Sequence, residues 1–216
     1  MIKRAPLEIH PLEPKRWKDL ETLFGGPGGS QVRGCWCMFY RRSGRADKPA
    51  DMTYSQFNKC ALKALVDQGV APGLIGYRDG KPIAWVSLGP REDYAKLARS
   101  SVMKPVDDKA VWSIICFYTA KEARGQHLAE AMLQGAIEYA RSCGARLVEA
   151  YPVDKRGRIA DDSMWFGSKG MYDRAGFVEI VRRKPTRPMV RKALRPPAKV
   201  TRRAHWRHSE SRNRKS

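Results

Sequence analysis

The stretch Val111–Ala140, VWSIICFYTAKEARGQHLAEAMLQGAIEYA, decides the fold. Val111–Thr119 is almost entirely apolar or β-favouring, as a central strand buried on both faces should be. From about Gln126 the period changes: Ala129, Leu133, Ala136, Ile137 and Ala140 recur on one face of a helix reaching Ser142. Gly144 is suited to a left-handed cap behind it. Between strand and helix lies the turn Arg124-Gly125-Gln126-His127-Leu128-Ala129. A helix start presents unpaired N–H groups and a partial positive charge. Gly125 and Ala129 are small enough to let a pyrophosphate approach the backbone, and Arg124 adds a fixed cation. The same turn is also an ordinary way to join a strand to a helix.

Working outward, Leu7–His10 reads as a short first strand, and Trp17–Phe24 as a helix with Trp17, Leu20 and Phe24 at helical spacing. Gly25-Gly26-Pro27-Gly28-Gly29 breaks the pattern and lacks the Gly-Lys-Ser/Thr ending of a P-loop, so it reads as a loop. Gly34–Tyr40 is an apolar, aromatic run that should be buried, and Arg41–Asp51 a basic loop. Thr53 with Gln56 three residues on predicts a capping box. The helix it opens should turn Phe57, Ala61, Ala64 and Leu65 inward and stop at Gly69. Gly73–Tyr77 and Ile83–Leu88 flank Asp79-Gly80, a strong hairpin signal. Tyr94–Ala98 can make a helical turn, and Met103–Lys109 a loop. After the long helix come a strand at Ala145–Tyr151, a polar loop at Pro152–Asp162 and a short helix at Ser168–Ala175. Phe177–Arg183 and Met189–Lys192 make a last strand pair.

Composition excludes several classes. With 42% hydrophobic and 30% charged residues the chain is an ordinary globular protein, and no run approaches the roughly 20 apolar residues of a membrane span. The N-terminus carries basic residues with no apolar core behind them, so it is no secretory signal, and a cytoplasmic protein without membrane contact is expected. Five scattered cysteines argue against a disulfide framework. Cys35-Trp36-Cys37 resembles half a zinc site, but only His205 and His208 in the far tail could complete it, so no metal is expected. Net charge is +20, and from Arg191 onward ten Lys/Arg face the single acid Glu210. The part from Arg195, with Trp206 among basic residues, is expected to be disordered alone and to make weak contact with nucleic acid or the ribosome.

Two segments in order resemble the Gcn5-related N-acetyltransferase (GNAT) superfamily. Arg124-Gly125-Gln126-His127-Leu128-Ala129 is similar to its Arg/Gln-x-x-Gly-x-Gly/Ala acyl-CoA signature, with His127 in place of the central glycine. Met171-Tyr172-Asp173-Arg174-Ala175-Gly176-Phe177 looks like the family's segment after the fifth strand. Gly34-Cys35-Trp36-Cys37, Trp85–Arg91, Val111-Trp112-Ser113 and Glu149–Pro152 are further similar to an uncharacterised acetyltransferase-like subgroup.

The resemblance implies an α/β (α+β) GNAT fold: a central mixed sheet of six to seven strands with helices on both faces, splayed between the fourth and fifth. The domain should span residues 1–194, leaving 195–216 as the basic tail. Implied is direct transfer of an acetyl group from acetyl-CoA to a primary amine of a small-molecule or peptide acceptor; homodimerisation stays open. The alternative is a non-catalytic GNAT-fold module that binds acyl-CoA or nucleic acid. The implied cofactor contacts are Phe117, Tyr118 and Thr119 for pantetheine, and Arg124, Gly125, Gln126, His127, Leu128 and Ala129 for the pyrophosphate. His127 must then point away from the pyrophosphate or contact it. Tyr172 is expected to protonate the leaving thiolate; Glu149 is expected either to collect the acceptor's proton or to be an ordinary surface acid or arginine partner. Glu92, Asp93, Asp107 and Asp108 are comparable substrate-binding candidates. Cys116 reads as core, and Trp85, Trp112, Phe117 and Tyr151 as core or acceptor pocket.

Overall fold

The computed structural model describes residues 5–42, 48–154 and 164–195. The basic tail, His205, His208 and most of the loop read at Pro152–Asp162 lie outside them.

In chain order the elements are β1 (Glu8–Pro11), α1 (Trp17–Gly25), α2 (Ser30–Cys35), α3 (Tyr54–Asp67), β2 (Gly73–Arg78), β3 (Lys81–Pro90), α4 (Ala95–Ala98) and β4 (Trp112–Thr119). Then follow α5 (Leu128–Ser142), β5 (Leu147–Ala150), α6 (Lys169–Arg174), β6 (Val178–Lys184) and β7 (Arg187–Ala193). The strands form one mixed sheet in the order β1-β2-β3-β4-β5-β7-β6. Its one parallel pair among the described residues is β4–β5.

Local chemistry accounts for the connections. Asp79 and Gly80 both take positive φ (51° and 70°), the geometry a two-residue hairpin turn requires. The capping box forms as read: Thr53 accepts from the Gln56 amide, and the Gln56 side chain accepts from the Thr53 amide. The inner stripe of α3, however, is rotated by one residue. Asn58, Leu62 and Val66 are buried, whereas Ala64 is exposed and Phe57, Ala61 and Leu65 are half-buried. Asn58 turns in because it finds partners there: its amide donates to the Gly34 carbonyl at 2.9 Å and its oxygen accepts from Arg42.

Successive strand residues face opposite sides of a sheet, so single residues of β3 locate the helices. Trp85 meets Phe24 of α1, with ring centroids 5.8 Å apart. Ala84, the next residue back, lies beside Gly76, where a Cβ would stand 2.7 Å from the Met132 sulfur of α5. Helices α1 and α5 therefore cover opposite faces. Leu128, Met132, Leu133, Ala136, Ile137 and Ala140 form the buried stripe of α5. Among the described residues no helix is long and apolar enough to cross a membrane.

The sheet parts where the parallel strands meet. Strand β4 runs to Thr119, but only Trp112, Ser113 and Ile114 pair with Val148, Glu149 and Ala150. Its far half has β3 on one flank and an opening on the other.

Candidate active site

That opening is a cleft of about 770 Å³. Its floor is Ile115–Thr119 of β4, and Ala123–Ala129 closes one end. Gly28, Val32, Cys35, Cys37, Phe39 and Tyr40 form one wall, and Met164 and Trp165 stand opposite. All nine residues expected to contact acetyl-CoA border this cleft.

The closed end has anion-binding geometry. Gly125 takes φ +72° with nothing within 4 Å of a Cβ built there, so the turn is open. His127 caps α5 in the left-handed conformation, φ 56° and ψ 22°. The amides of His127, Leu128 and Ala129 bond to no backbone acceptor among the described residues. These are the donors a helix start aims at an anion. Arg124 adds positive charge at this end, its Nη2 3.3 Å from a Cβ built on Gly28 across the cleft. The residues present therefore fit a pyrophosphate.

The geometry also explains the departure at His127. A glycine in this position supplies positive φ at little cost, while histidine takes the same conformation at roughly 1–2 kcal/mol. Its side chain is 83% exposed, with Nδ1 3.7 Å from Glu130 of the first helical turn. His127→Gly should accordingly leave acetyl-CoA affinity within about threefold and stability within about 1 kcal/mol, by calorimetry and thermal unfolding. A tenfold loss of affinity would mean that the imidazole contacts the ligand.

Along the floor, N–H and C=O of one residue leave a strand on the same side. Phe117 and Thr119 direct theirs toward the opening, whereas Tyr118, opposite Trp85 in the register, contributes its side chain. The Phe117 amide is engaged: it donates to the Trp165 carbonyl at 2.6 Å. A pantetheine bonding there must replace that carbonyl.

Tyr172 is fully buried behind the lining, and its hydroxyl donates to the Phe166 carbonyl at 3.0 Å. Burial raises its pKa well above the ordinary phenol range. Tyr172 is not among the residues that line the cleft, whereas Trp165, the neighbour of Phe166, is.

Glu149 does not line the cleft and is fully buried. Its two oxygens accept from the Tyr151 hydroxyl at 2.6 Å and from Arg191 Nε at 2.8 Å, and Arg91 lies 3.6 Å away. The register explains this, because Glu149 of β5 stands directly between Ser113 of β4 and Arg191 of β7. Ser113 reaches the Tyr151 hydroxyl at 3.1 Å. Arg191 in turn grips Asp107 at 2.7 and 2.9 Å, which lowers that carboxyl to about 2. Asp93 pairs with Arg41 at 3.0 Å, while Glu92 and Asp108 are exposed. None of these acids borders the cleft.

The near wall was not legible in the sequence. Helix α2 ends with Trp36 and Cys37 both in positive φ, 45° and 53°. This fold-back sets Cys35 and Cys37 against the cleft beside Cys116. Cys37 accepts from the Trp85 indole at 3.2 Å. Cys37 and burial raise the Cys35 pKa, and Cys116 raises that of Cys37, so these thiols stay protonated. Among the described residues no group of three or more His, Cys, Asp or Glu could hold a metal. Trp85 and Tyr151 are core, Trp112 packs on Tyr139, and Phe117 alone of those aromatics borders the cleft.

A cleft between parting parallel strands, closed by an open helix start, defines a protein that takes a phosphate-bearing ligand. The acetyltransferase (GNAT) family matches residues 36–177, and the chain belongs to that family. It is an acyltransferase with acetyl-CoA as acetyl donor. Among solved structures, an acetyltransferase of the GNAT family from Listeria monocytogenes is 9% identical, with a TM-score of 0.53 over 89% of this chain and 99% of that one. A second from Streptococcus agalactiae is 12% identical, with a TM-score of 0.52 over 90% and 99%. The PaiA N-acetyltransferase from Thermoplasma acidophilum, solved in complex with coenzyme A, is 13% identical, with a TM-score of 0.48 over 88% and 100%. No curated protein matches.

Proposed function

We propose that the protein moves the acetyl group of acetyl-CoA directly to a primary amine held at the open end of the cleft. The observation that carries this reading is the left-handed turn at Gly125 and His127, which leaves three amides without backbone partners among the described residues at one end of the parted β4 strand. When bound, acetyl-CoA supplies an activated thioester; the chain's part is to hold it, orient the amine and manage two protons. The amides of His127, Leu128 and Ala129 and the charge of Arg124 hold the pyrophosphate. Phe117 and Thr119 offer backbone groups to the pantetheine, and Tyr118 a side-chain wall.

Tyr172 gives its proton to the departing thiolate once the Phe166 carbonyl releases it. Burial keeps the phenol protonated and a weaker acid than a free one. Transfer to a thiolate therefore needs the hydroxyl to leave its buried bond and meet the sulfur, where its pKa falls back toward the ordinary phenol value of about 10. Tyr172→Phe should lower kcat by about 100-fold with little change in acetyl-CoA affinity, and should cost about 1 kcal/mol of stability for the lost hydrogen bond. An unchanged kcat removes Tyr172 from the chemistry. In this reading Glu149 braces β4, β5 and β7, and water carries away the acceptor's proton.

Thiol release from acetyl-CoA over a panel of amines tests the transfer itself; tight acetyl-CoA binding with no release on any amine overturns it. We also infer that the tail from residue 195 makes weak, salt-dependent contact with nucleic acid, on the strength of its charge and Trp206. Deleting residues 195–216 should lower retention on RNA at low salt and leave acetyl-CoA binding unchanged. Equal retention ends that idea.

A further inference from the structure

We infer that Phe39 and Tyr54, with the cations Arg42, Lys48, Lys96 and Arg99, form a docking surface for single-stranded nucleic acid at the edge of the cleft. The inference does not depend on amine transfer, and it concerns the folded domain rather than the tail from residue 195.

The first observation is exposed aromatic surface that carries positive charge. Phe39 is 55% exposed and Tyr54 40%. Single exposed apolar residues are unremarkable, but each of these rings has cations over it. Lys96 Nζ stands 3.4 Å from the Phe39 centroid. Arg42 Cζ and Lys48 Nζ each stand 5.7 Å from the Tyr54 centroid. The two groups make one surface. Phe39 and Arg42 belong to a single short segment, and the Lys96 amide donates to the Tyr40 carbonyl at 3.1 Å, which seats α4 against that segment. Phe39 also borders the cleft, so the surface reaches the cleft's edge.

The second is charge without counter-charge. None of Arg42, Lys48, Lys96 and Arg99 has an acidic partner among the described residues. Cations elsewhere do: Lys59 meets Glu21 at 2.7 Å, and Lys169 meets Asp173 at 2.6 Å. Arg42 instead bonds the neutral Asn58, Lys48 bonds the Pro49 carbonyl, and Arg99 is exposed. Burial lowers the Lys96 pKa, and Arg42 and Arg99 lower it further, as positive charge gathered without acids must. Such a field attracts a polyanion.

The third step is the choice of polyanion. An acidic peptide would satisfy the cations and leave the rings bare. A lipid surface calls for a broad apolar face beside the basic one, and here the exposed rings are interleaved with the cations. A single strand alternates phosphates with unpaired bases, and every base offers a face to an aromatic ring. In a duplex those faces are already stacked on one another. Rings and cations are therefore both used by a single strand alone.

The experiment follows a short fluorescent oligouridylate binding to the full chain by anisotropy over a range of salt. Lys96→Ala with Arg99→Ala should weaken binding about tenfold at low salt. It should also reduce the slope of log affinity on log salt by about 1.4, the share of two phosphate contacts on a single strand. Acetyl-CoA affinity and melting temperature of this double variant should stay at wild-type values. Phe39→Ala should weaken binding about fivefold with the slope unchanged, because stacking releases no counterions. Cross-linking of the wild type to an oligomer bearing 4-thiouridine, with the peptides mapped by mass spectrometry, should mark the segments holding Phe39 and Lys96. Cross-links confined to residues 195–216, or affinity and slope unmoved in the double variant, overturn the surface and leave the tail as the contact. Phe39→Ala without effect overturns the stacking, and with it the choice of a nucleic acid. Displacement of the oligomer by polyglutamate at lower concentration than by unlabelled oligouridylate overturns that choice in favour of an acidic protein.

Discussion

Glu149→Ala should destabilise the protein by about 3–5 kcal/mol, because it leaves buried charge without its partner. Arg191 is 8% exposed, and the Nη1 of Arg91 already has no hydrogen bond. Removing the carboxylate strips Arg191 Nε of its acceptor and Tyr151 of the oxygen its hydroxyl donates to. Three strands lose a shared anchor, since Ser113, Glu149 and Arg191 stand abreast on β4, β5 and β7. In a domain of this size the melting temperature should fall by roughly 6–20 °C. Glu149→Gln keeps an acceptor for Arg191 and should cost less. Urea unfolding of the two variants beside the wild type checks this. A loss under about 1 kcal/mol for Glu149→Ala would show that the network does not brace the sheet.

The second large effect separates binding from folding. Ala129 is in the first turn of α5 and borders the cleft. An aspartate there faces the positive end of the helix, which favours it by roughly 0.3–1 kcal/mol. The same carboxylate sits where the pyrophosphate is proposed to lie and repels it. Ala129→Asp should therefore keep or slightly raise the melting temperature while weakening acetyl-CoA binding by about 100-fold or more, an electrostatic penalty near 3 kcal/mol. Calorimetric titration and thermal unfolding of one preparation read both quantities. Unchanged affinity would place the ligand elsewhere.

What the sequence made legible was local in origin. The strand, turn and helix of Val111–Ala140 fall within a residue or two of their expected bounds, because periodicity and composition act over short range. Asp79-Gly80 and the Thr53–Gln56 box form as read, each stabilised by its own neighbours. The readings that shifted depend on partners distant in sequence. The stripe of α3 turns to suit Asn58, whose partners Gly34 and Arg42 lie in a different segment. Helix α2 and the left-handed pair Trp36-Cys37 follow from packing: Trp36 stacks on Trp17 with centroids 5.9 Å apart. No short-range rule predicts two successive non-glycine residues at positive φ. The Trp165 carbonyl on Phe117 likewise joins residues nearly fifty apart in the chain. For the site, the closed end was readable because a phosphate cradle is a local backbone device. The near wall was not, since the fold-back at Trp36 and Cys37 that sets it against the cleft follows from packing between distant segments.

The central claim is that the start of α5 holds the donor's pyrophosphate. Amide chemical shifts of isotopically labelled protein, followed during titration with CoA, test it most directly. His127, Leu128 and Ala129 should show the largest downfield amide shifts at saturation, with Gly125 moving beside them. Saturation with those three amides unmoved, and the largest shifts in another part of the chain, would contradict it.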